Sequence, residues 1–230
     1  MKAKGCMFDF SGTVFRIEPC ADWLLGALDA VGVKAPEDEI AHWAARLERS
    51  GAQPGGAPPA DWRPDSAEDW ARRDLNAALH RRAYTAQSRS SGLPWDIHDV
   101  LYDRHMTPAA WRPYPDAAEV LAALRERGVP VAVVSNIGWD PRPVFAAHGL
   151  ADLVDAFVLS YEVGRQKPDP AIFHTACAQL GLTPRETLMV GDDRRADGGA
   201  AALGCPVFFV DHLPADRRPD ALRGVLDLLG

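Results

Sequence analysis

Lys4-Gly5-Cys6-Met7-Phe8-Asp9-Phe10-Ser11-Gly12-Thr13 is a short apolar run that stops at an acid and passes into a Gly-Thr turn signal. Too short for a helix and uninterrupted by polar residues from Cys6 to Phe8, the run predicts a buried strand that delivers Asp9 to its carboxyl end. Four later runs repeat the design: Val129 to Val134 ends in Ser135-Asn136, Ala156 to Leu159 at Ser160, Thr187 to Val190 at Gly191-Asp192-Asp193, and Pro206 to Val210 at Asp211. Continuous rather than alternating apolar runs belong to strands covered on both faces. Helical patterns lie between them over 116–127, 141–148, 170–180, 194–203 and 219–229, and Gly128, Gly149, Gly181 and Gly204 stand where those helices should stop. Alternating strands and helices imply an α/β fold with a doubly wound parallel sheet and right-handed crossovers. Ligands bind such sheets outside the carboxyl ends of the strands, where these polar residues fall.

The stretch from Arg16 to Arg112 has a different texture. It predicts four helices, over about 21–31, 36–49, 66–87 and 95–106, with no strand, and a loop from Gly51 to Pro64 built on Pro54-Gly55-Gly56-Ala57-Pro58-Pro59. Six of the seven tryptophans fall here, which reads as interhelix packing, Trp62 in the loop being the exception. The expected organisation is a Rossmann-like core from 1–15 and 113–230, with a second, smaller all-helical domain, 16–112, inserted after the first strand.

Composition narrows the function classes. The 47% hydrophobic and 25% charged content is that of a folded globular protein. A net charge of −7 argues against nucleic-acid binding, which needs clustered cations. Cys6, Cys20, Cys177 and Cys205 are scattered, with neither a zinc spacing nor a disulfide framework, so a reduced cytoplasmic protein is expected. No signal-peptide pattern and no run long enough to span a membrane are expected either.

Each strand end has its own chemical reading. Asp9 before a tight turn can meet a ligand, although acids also serve simply as turn formers. Ser135 and Asn136 offer donors suited to an anionic oxygen. Lys167, one of only four lysines, lies just before Pro170 at a predicted helix start, two positive features aimed at one anion. Asp192, Asp193 and Asp197 crowd three acids into one loop and helical turn, which is costly unless a cation sits among them, and hard oxygen donors suit Mg²⁺.

Taken in order, these residues resemble the motifs of the haloacid dehalogenase (HAD) superfamily. The first motif appears as Asp9-Phe10-Ser11-Gly12-Thr13, the second as Ser135, the third as Lys167 in Lys-Pro-Asp-Pro, and the fourth as Gly191 to Asp197. The helical insertion is similar to the family's C1-type cap. The resemblance implies a phosphatase acting on a small phosphorylated metabolite, with Asp9 as nucleophile and an aspartyl-phosphate intermediate. It implies Mg²⁺ held by Asp9, Asp192 and the backbone carbonyl of Ser11, with Asp193 and Asp197 orienting metal waters and Lys167. Ser135 and Lys167 would hold the phosphoryl oxygens, and Thr13 and Asn136 are further phosphate-binding candidates.

Ser11 departs from the pattern. Most family phosphatases carry Asp there as general acid and base, a role worth about 10²–10⁴ in rate. Three consequences stay open: substrates with good leaving groups, an acid borrowed from the cap, or a protein with little turnover that acts in binding or regulation. A phosphonatase-like C–P hydrolase is another alternative, with Lys34 as the one lysine in the insertion available for a Schiff base. Arg16, Trp62, Arg63 and Trp139 are candidates for contacting substrate, and a monomer or homodimer is expected.

Overall fold

The computed structural model describes residues 2–60 and 67–229. Five short strands, β1 (Gly5–Phe8), β4 (Val131–Ser135), β5 (Ala156–Leu159), β6 (Thr187–Gly191) and β7 (Val207–Phe209), form one parallel sheet in the order β5-β4-β1-β6-β7. The chain builds outward from β1 to β5, crosses back, and builds β6 and β7 on the other side. The order reverses at β1, so the ligand crevice of this fold opens at the end of β1.

Alternate residues of the strands face opposite layers. Cys6, Phe8, Val131, Val133, Leu188 and Val190 pack with α6 (Ala117–Glu126) and α7 (Arg142–Ala147) through Val120, Leu124 and Phe145. Met7, Ala132, Val134, Val158 and Met189 face the other layer, where Ile172, Phe173 and Cys177 of α9 (Pro170–Gln179) cover them. Both faces are buried, as the unbroken apolar runs predict. All four cysteines are buried and free.

The remaining helices are α1 (Cys20–Ala30), α2 (Glu37–Ser50), α3 (Ala67–Ala71), α4 (Ala77–Ser90) and α5 (His98–His105), with α8 (Ser160–Val163) a single turn after β5. Trp23, Leu24, Leu28, Ile40, Leu47 and Leu101 give α1, α2 and α5 an apolar cluster of their own.

Three expectations are corrected. The stretch from Arg16 to Arg112 is not free of strands: β2 (Phe15–Ile17) pairs antiparallel with β3 (Trp111–Pro113), matching Arg16 to Arg112 and Ile17 to Trp111. Three residues a side are too few to print a pattern in sequence. The helix expected over 66–87 breaks into α3, a 3₁₀ turn Arg73–Leu75, and α4. Asn76 is extended there, and its side chain accepts from the Leu79 amide at 2.8 Å, which starts a new helix. Finally, the helices expected over 194–203 and 219–229 are the 3₁₀ segments Asp197–Leu203 and Ala221–Asp227, each interrupted by glycine.

Candidate active site

Lys167 is the centre of the strand-end cluster. Its side chain is only 2% exposed, and its ammonium donates to Asp9 Oδ1 at 2.7 Å and Asp197 Oδ1 at 2.6 Å. Its backbone is clamped by Asn136, whose side chain donates to the Lys167 carbonyl at 2.8 Å and accepts from the Lys167 amide at 2.6 Å. A residue at the end of β4 therefore fixes the loop that carries the lysine. Ser135, buried beside it, lines the same cavity.

The β6 end is equally ordered. Asp192 accepts from the Thr13 hydroxyl at 3.2 Å and from His212 Nδ1 at 2.5 Å. His212 Nε2 lies 2.6 Å from Arg16 Nη1, and an arginine N–H can only donate, so the ring proton sits on Nδ1 and points at Asp192. Asp193 Oδ1 caps the loop by accepting from the amides of Arg195 and Ala196, while Asp197 Oδ2 accepts from the Asp193 amide. Gly12 makes this approach possible: at φ 88° it has a left-handed backbone, and a Cβ there would run into Asp192 and His212.

The charges strain one another. Burial pushes Asp9 well above the usual carboxylate range; Lys167 opposes the rise, and Asp197 and Asp192 add to it. Asp197 is also raised by burial against the pull of Lys167. Burial acts the same way on Asp192, but the hydrogen bond from His212 holds it below its ordinary value. Burial alone would lower Lys167, yet Asp197 and Asp9 raise it, so it stays protonated.

Carboxylate oxygens of Asp9, Asp192 and Asp197 lie within 4.8 Å of one another. With one ammonium among three carboxylates, negative charge is in excess, and an all-oxygen donor set suits a hard divalent cation. The residues present therefore fit Mg²⁺. Both Asp197 oxygens already serve Lys167 and the Asp193 amide, and both Asp192 oxygens serve Thr13 and His212, whereas Asp9 bonds Lys167 through Oδ1 alone.

A cavity of about 640 Å³ opens over the cluster. Asp9, Ser11, Ser135, Asn136, Lys167, Asp192, Asp193 and Asp197 line it; Thr13 does not, being wholly buried beneath. The far wall comes from Gly51 to Pro58 and from Trp70, Arg73, Asp74 and Tyr84.

A model of the haloacid dehalogenase-like hydrolase family matches residues 3–204. The chain belongs to that family. A phosphoglycolate phosphatase of Haemophilus influenzae is 28% identical over 210 residues, 89% of this chain and 84% of that protein. A phosphoserine phosphatase of Thermus thermophilus is 36% identical over 110 residues, where the match spans less than half of either chain, 47% and 44%. Among solved structures, the L-2-haloacid dehalogenase of Xanthobacter autotrophicus superposes with a TM-score of 0.64 at 25% identity, covering 96% of this chain and 83% of that one.

Within this HAD hydrolase, several sequence candidates stand elsewhere. Lys34 is 89% exposed, paired with Asp29 at 3.2 Å, and does not line the cavity, so C–P chemistry through it has no support. Trp139 packs against Phe10, His105 and Trp111 in the core instead of forming a cavity wall. Arg16 donates to the Gly55 carbonyl at 2.7 Å and serves His212. Trp62 and Arg63 lie outside the described residues. The sequence did not point to His212, although it directly follows the acid that ends the β7 run, nor to Arg73 and Asp74, which fall inside a pattern that continues across a helix break. Among the described residues no helix is long and apolar enough to cross a membrane.

Proposed function

We propose that this HAD hydrolase is a cytoplasmic, Mg²⁺-dependent phosphatase of a small phosphorylated metabolite, acting through an aspartyl-phosphate on Asp9. The observation that carries the reading is the Asp9–Lys167–Asp197 array at the floor of a cavity sized for a small molecule. The names of the relatives, phosphoglycolate phosphatase and phosphoserine phosphatase, support the same class.

Asp9 attacks phosphorus, the bond to the leaving oxygen breaks, and water then cleaves the acyl phosphate, restoring the carboxylate and releasing phosphate. Lys167 and Ser135 hold phosphoryl oxygens while charge builds on them, which is electrostatic stabilisation by groups already in place. Asp9, Asp192 and the Ser11 carbonyl would hold Mg²⁺, which would supply charge compensation when bound. Asn136 and Asp197 keep Lys167 oriented, and Thr13 and His212 keep Asp192 oriented. Residues 16–112 act as a helical cap over a core of 1–15 and 113–230.

A second reading is favoured by one observation. Ser11 Oγ is buried without a hydrogen-bond partner, so no proton shuttle stands at the position where the family's acid belongs. On that reading the protein binds phosphorylated ligands with little turnover.

A phosphate-release screen over sugar phosphates, acyl phosphates and phospho-acids separates the two. Asp9→Asn is expected to cut turnover by about 10⁴-fold or more, and a chelator to abolish it until Mg²⁺ is restored. Phosphate release unchanged in Asp9→Asn would overturn the nucleophile assignment, and the absence of turnover on every class would leave the binding reading.

A further inference from the structure

An alkyl phosphate needs a proton on its leaving oxygen, and the hydroxyl of Ser11 is too weak an acid to give one near neutral pH. Ser11 Oγ is buried without a partner, and Gly55 lies so close over it that a Cβ there would press on Oγ at 2.6 Å and on the Trp111 ring at 2.7 Å. That packing fills the space a longer acidic side chain at residue 11 would need.

The core carboxylates of the cavity are committed. Asp9 holds Lys167; Asp192 accepts from Thr13 and His212; Asp193 caps two amides; Asp197 accepts from Lys167 and the Asp193 amide. Asp74 is different. It comes from the 3₁₀ turn between α3 and α4, lines the cavity, and no hydrogen bond among the described residues ends on its carboxylate. Its charged neighbours stand further off, Arg73 Nη2 at 3.4 Å and His80 Nε2 at 3.6 Å.

The backbone holds it in place. Ser160, at the end of β5, donates its hydroxyl to the Asp74 carbonyl at 2.6 Å, and Gln166, next to Lys167, donates to the Ala71 carbonyl at 2.8 Å. We propose that Asp74 is the general acid and base of this enzyme, supplied from the helical segment in place of residue 11. The proposal rests on the phosphatase reading above.

In the first step Asp9 forms the new P–O bond, the P–O bond to the alkyl group breaks, and its electron pair takes the proton of Asp74, releasing an alcohol. In the second, the Asp74 carboxylate takes a proton from water as that water attacks phosphorus. The Asp9–phosphorus bond breaks, and both carboxyl groups return to their starting states.

The surroundings suit the role. Burial raises Asp74 above the usual carboxylate range, with Arg73 and Lys167 pulling the other way. His80 is held well below its ordinary value by burial, His105 and Arg73, and is therefore neutral; the Tyr102 hydroxyl lies 2.7 Å from its Nδ1. Tyr84, also on the cavity wall, is raised by burial and is uncharged. The groups facing Asp74 are thus Arg73, Lys167, His80 and Tyr84.

The test compares Asp74→Asn with wild type on an alkyl phosphate and on an acyl phosphate, whose leaving carboxylate needs no proton. Turnover of the alkyl ester is expected to fall by about 10²–10⁴-fold, with the basic limb of its pH profile lost. Formation of the phosphoenzyme from the acyl phosphate, followed in the pre-steady state, is expected to stay at the wild-type rate while its hydrolysis slows. Equal losses in phosphoenzyme formation from both substrates, a change in KM alone, or no loss on the alkyl ester would each overturn the role. If Asp74→Asn fails to fold, wild type still decides: an enzymatic acid flattens the dependence of kcat/KM on leaving-group pKa, and a steep dependence overturns the proposal. Failure of wild type to turn over either substrate would count instead against the phosphatase reading.

Discussion

The sheet wall of the cavity and its helical wall hold their functional groups by different means. At the sheet, Asp9, Ser135 and Asp192 project from the ends of strands that are each paired on both sides, and the charges brace one another through Lys167 and His212. At the helical wall, Arg73 is held by aromatic faces, 4.3 Å over Trp70 and 5.9 Å from Tyr84, and the segment that carries Asp74 by hydrogen bonds to the backbone carbonyls of residues 74 and 71. On the proposed function, the sheet places the groups that make and break bonds to phosphorus. The helical wall, seated on the core through Ser160 and Gln166, lines the rest of the cavity.

The strongest way to break this contrast is to remove the brace. Lys167→Met should lower kcat/KM by about 10²–10³-fold in a phosphate-release assay. It should also lower the melting temperature without metal, because three carboxylates lose their shared counter-ion, and Mg²⁺ should then raise it more than in wild type. If the variant melts as wild type does, the carboxylates are not strained against one another.

A second test moves to the boundary between the walls. Glu18, just after β2, receives a two-pronged hydrogen bond from Arg104 of α5 at 2.7 and 2.6 Å, and Gln53 donates to the Glu18 carbonyl at 3.0 Å. Arg104→Ala should cost about 3 kcal/mol by chemical denaturation, the lower end for a buried pair, since the arginine is 25% exposed. Independently packed layers would also make unfolding less cooperative in this variant, whereas a single sharp transition would show the two layers to be one unit.

Gly55→Ala probes the seam directly. Its backbone is left-handed at φ 75°, and the added methyl meets Ser11 and Trp111, so a loss of about 1–2 kcal/mol is expected, with KM affected more than kcat. An unchanged melting temperature would mean that the loop shifts freely.

The smallest effect lies at the opposite ends of the strands, before β1 and β6. Glu186 is held down to about 2 by Lys4 and by the hydroxyl and amide of Thr183. A depressed carboxyl stabilises the fold above its unfolded value of 4.5 and loses that contribution as pH falls from there toward about 2. Lys4→Met should flatten the stability curve over that window and leave activity untouched, because it acts far from the strand ends that carry the chemistry.

What could be read in the sequence follows the same division. Asp9, Ser135 and Asp192 were legible because each ends a continuous apolar run, a purely local signal. Lys167 was legible by context, but its clamp on Asn136 was not, since it joins two loops that only the folded sheet brings together. Thr13, expected to meet phosphate, turns its hydroxyl to Asp192. Asp74 was hidden because the helical pattern from α3 continues through the 3₁₀ turn into α4, and only the cap made by Asn76 marks the break. The β2–β3 pair escaped notice because two three-residue strands at the ends of a long insertion gain their stability from each other, not from any pattern within either.

The hydrogen bonds from Ser160 and Gln166 end on main-chain carbonyls of residues 74 and 71. Such bonds are blind to which side chain residue 74 bears. That position is therefore a socket: the chain presents whatever is plugged in there to the same face of the crevice. Exchanging the side chain retunes the chemistry above the phosphate while leaving the seating of the segment alone, which makes residue 74 a place where a lineage, or a designer, can change reactivity one side chain at a time.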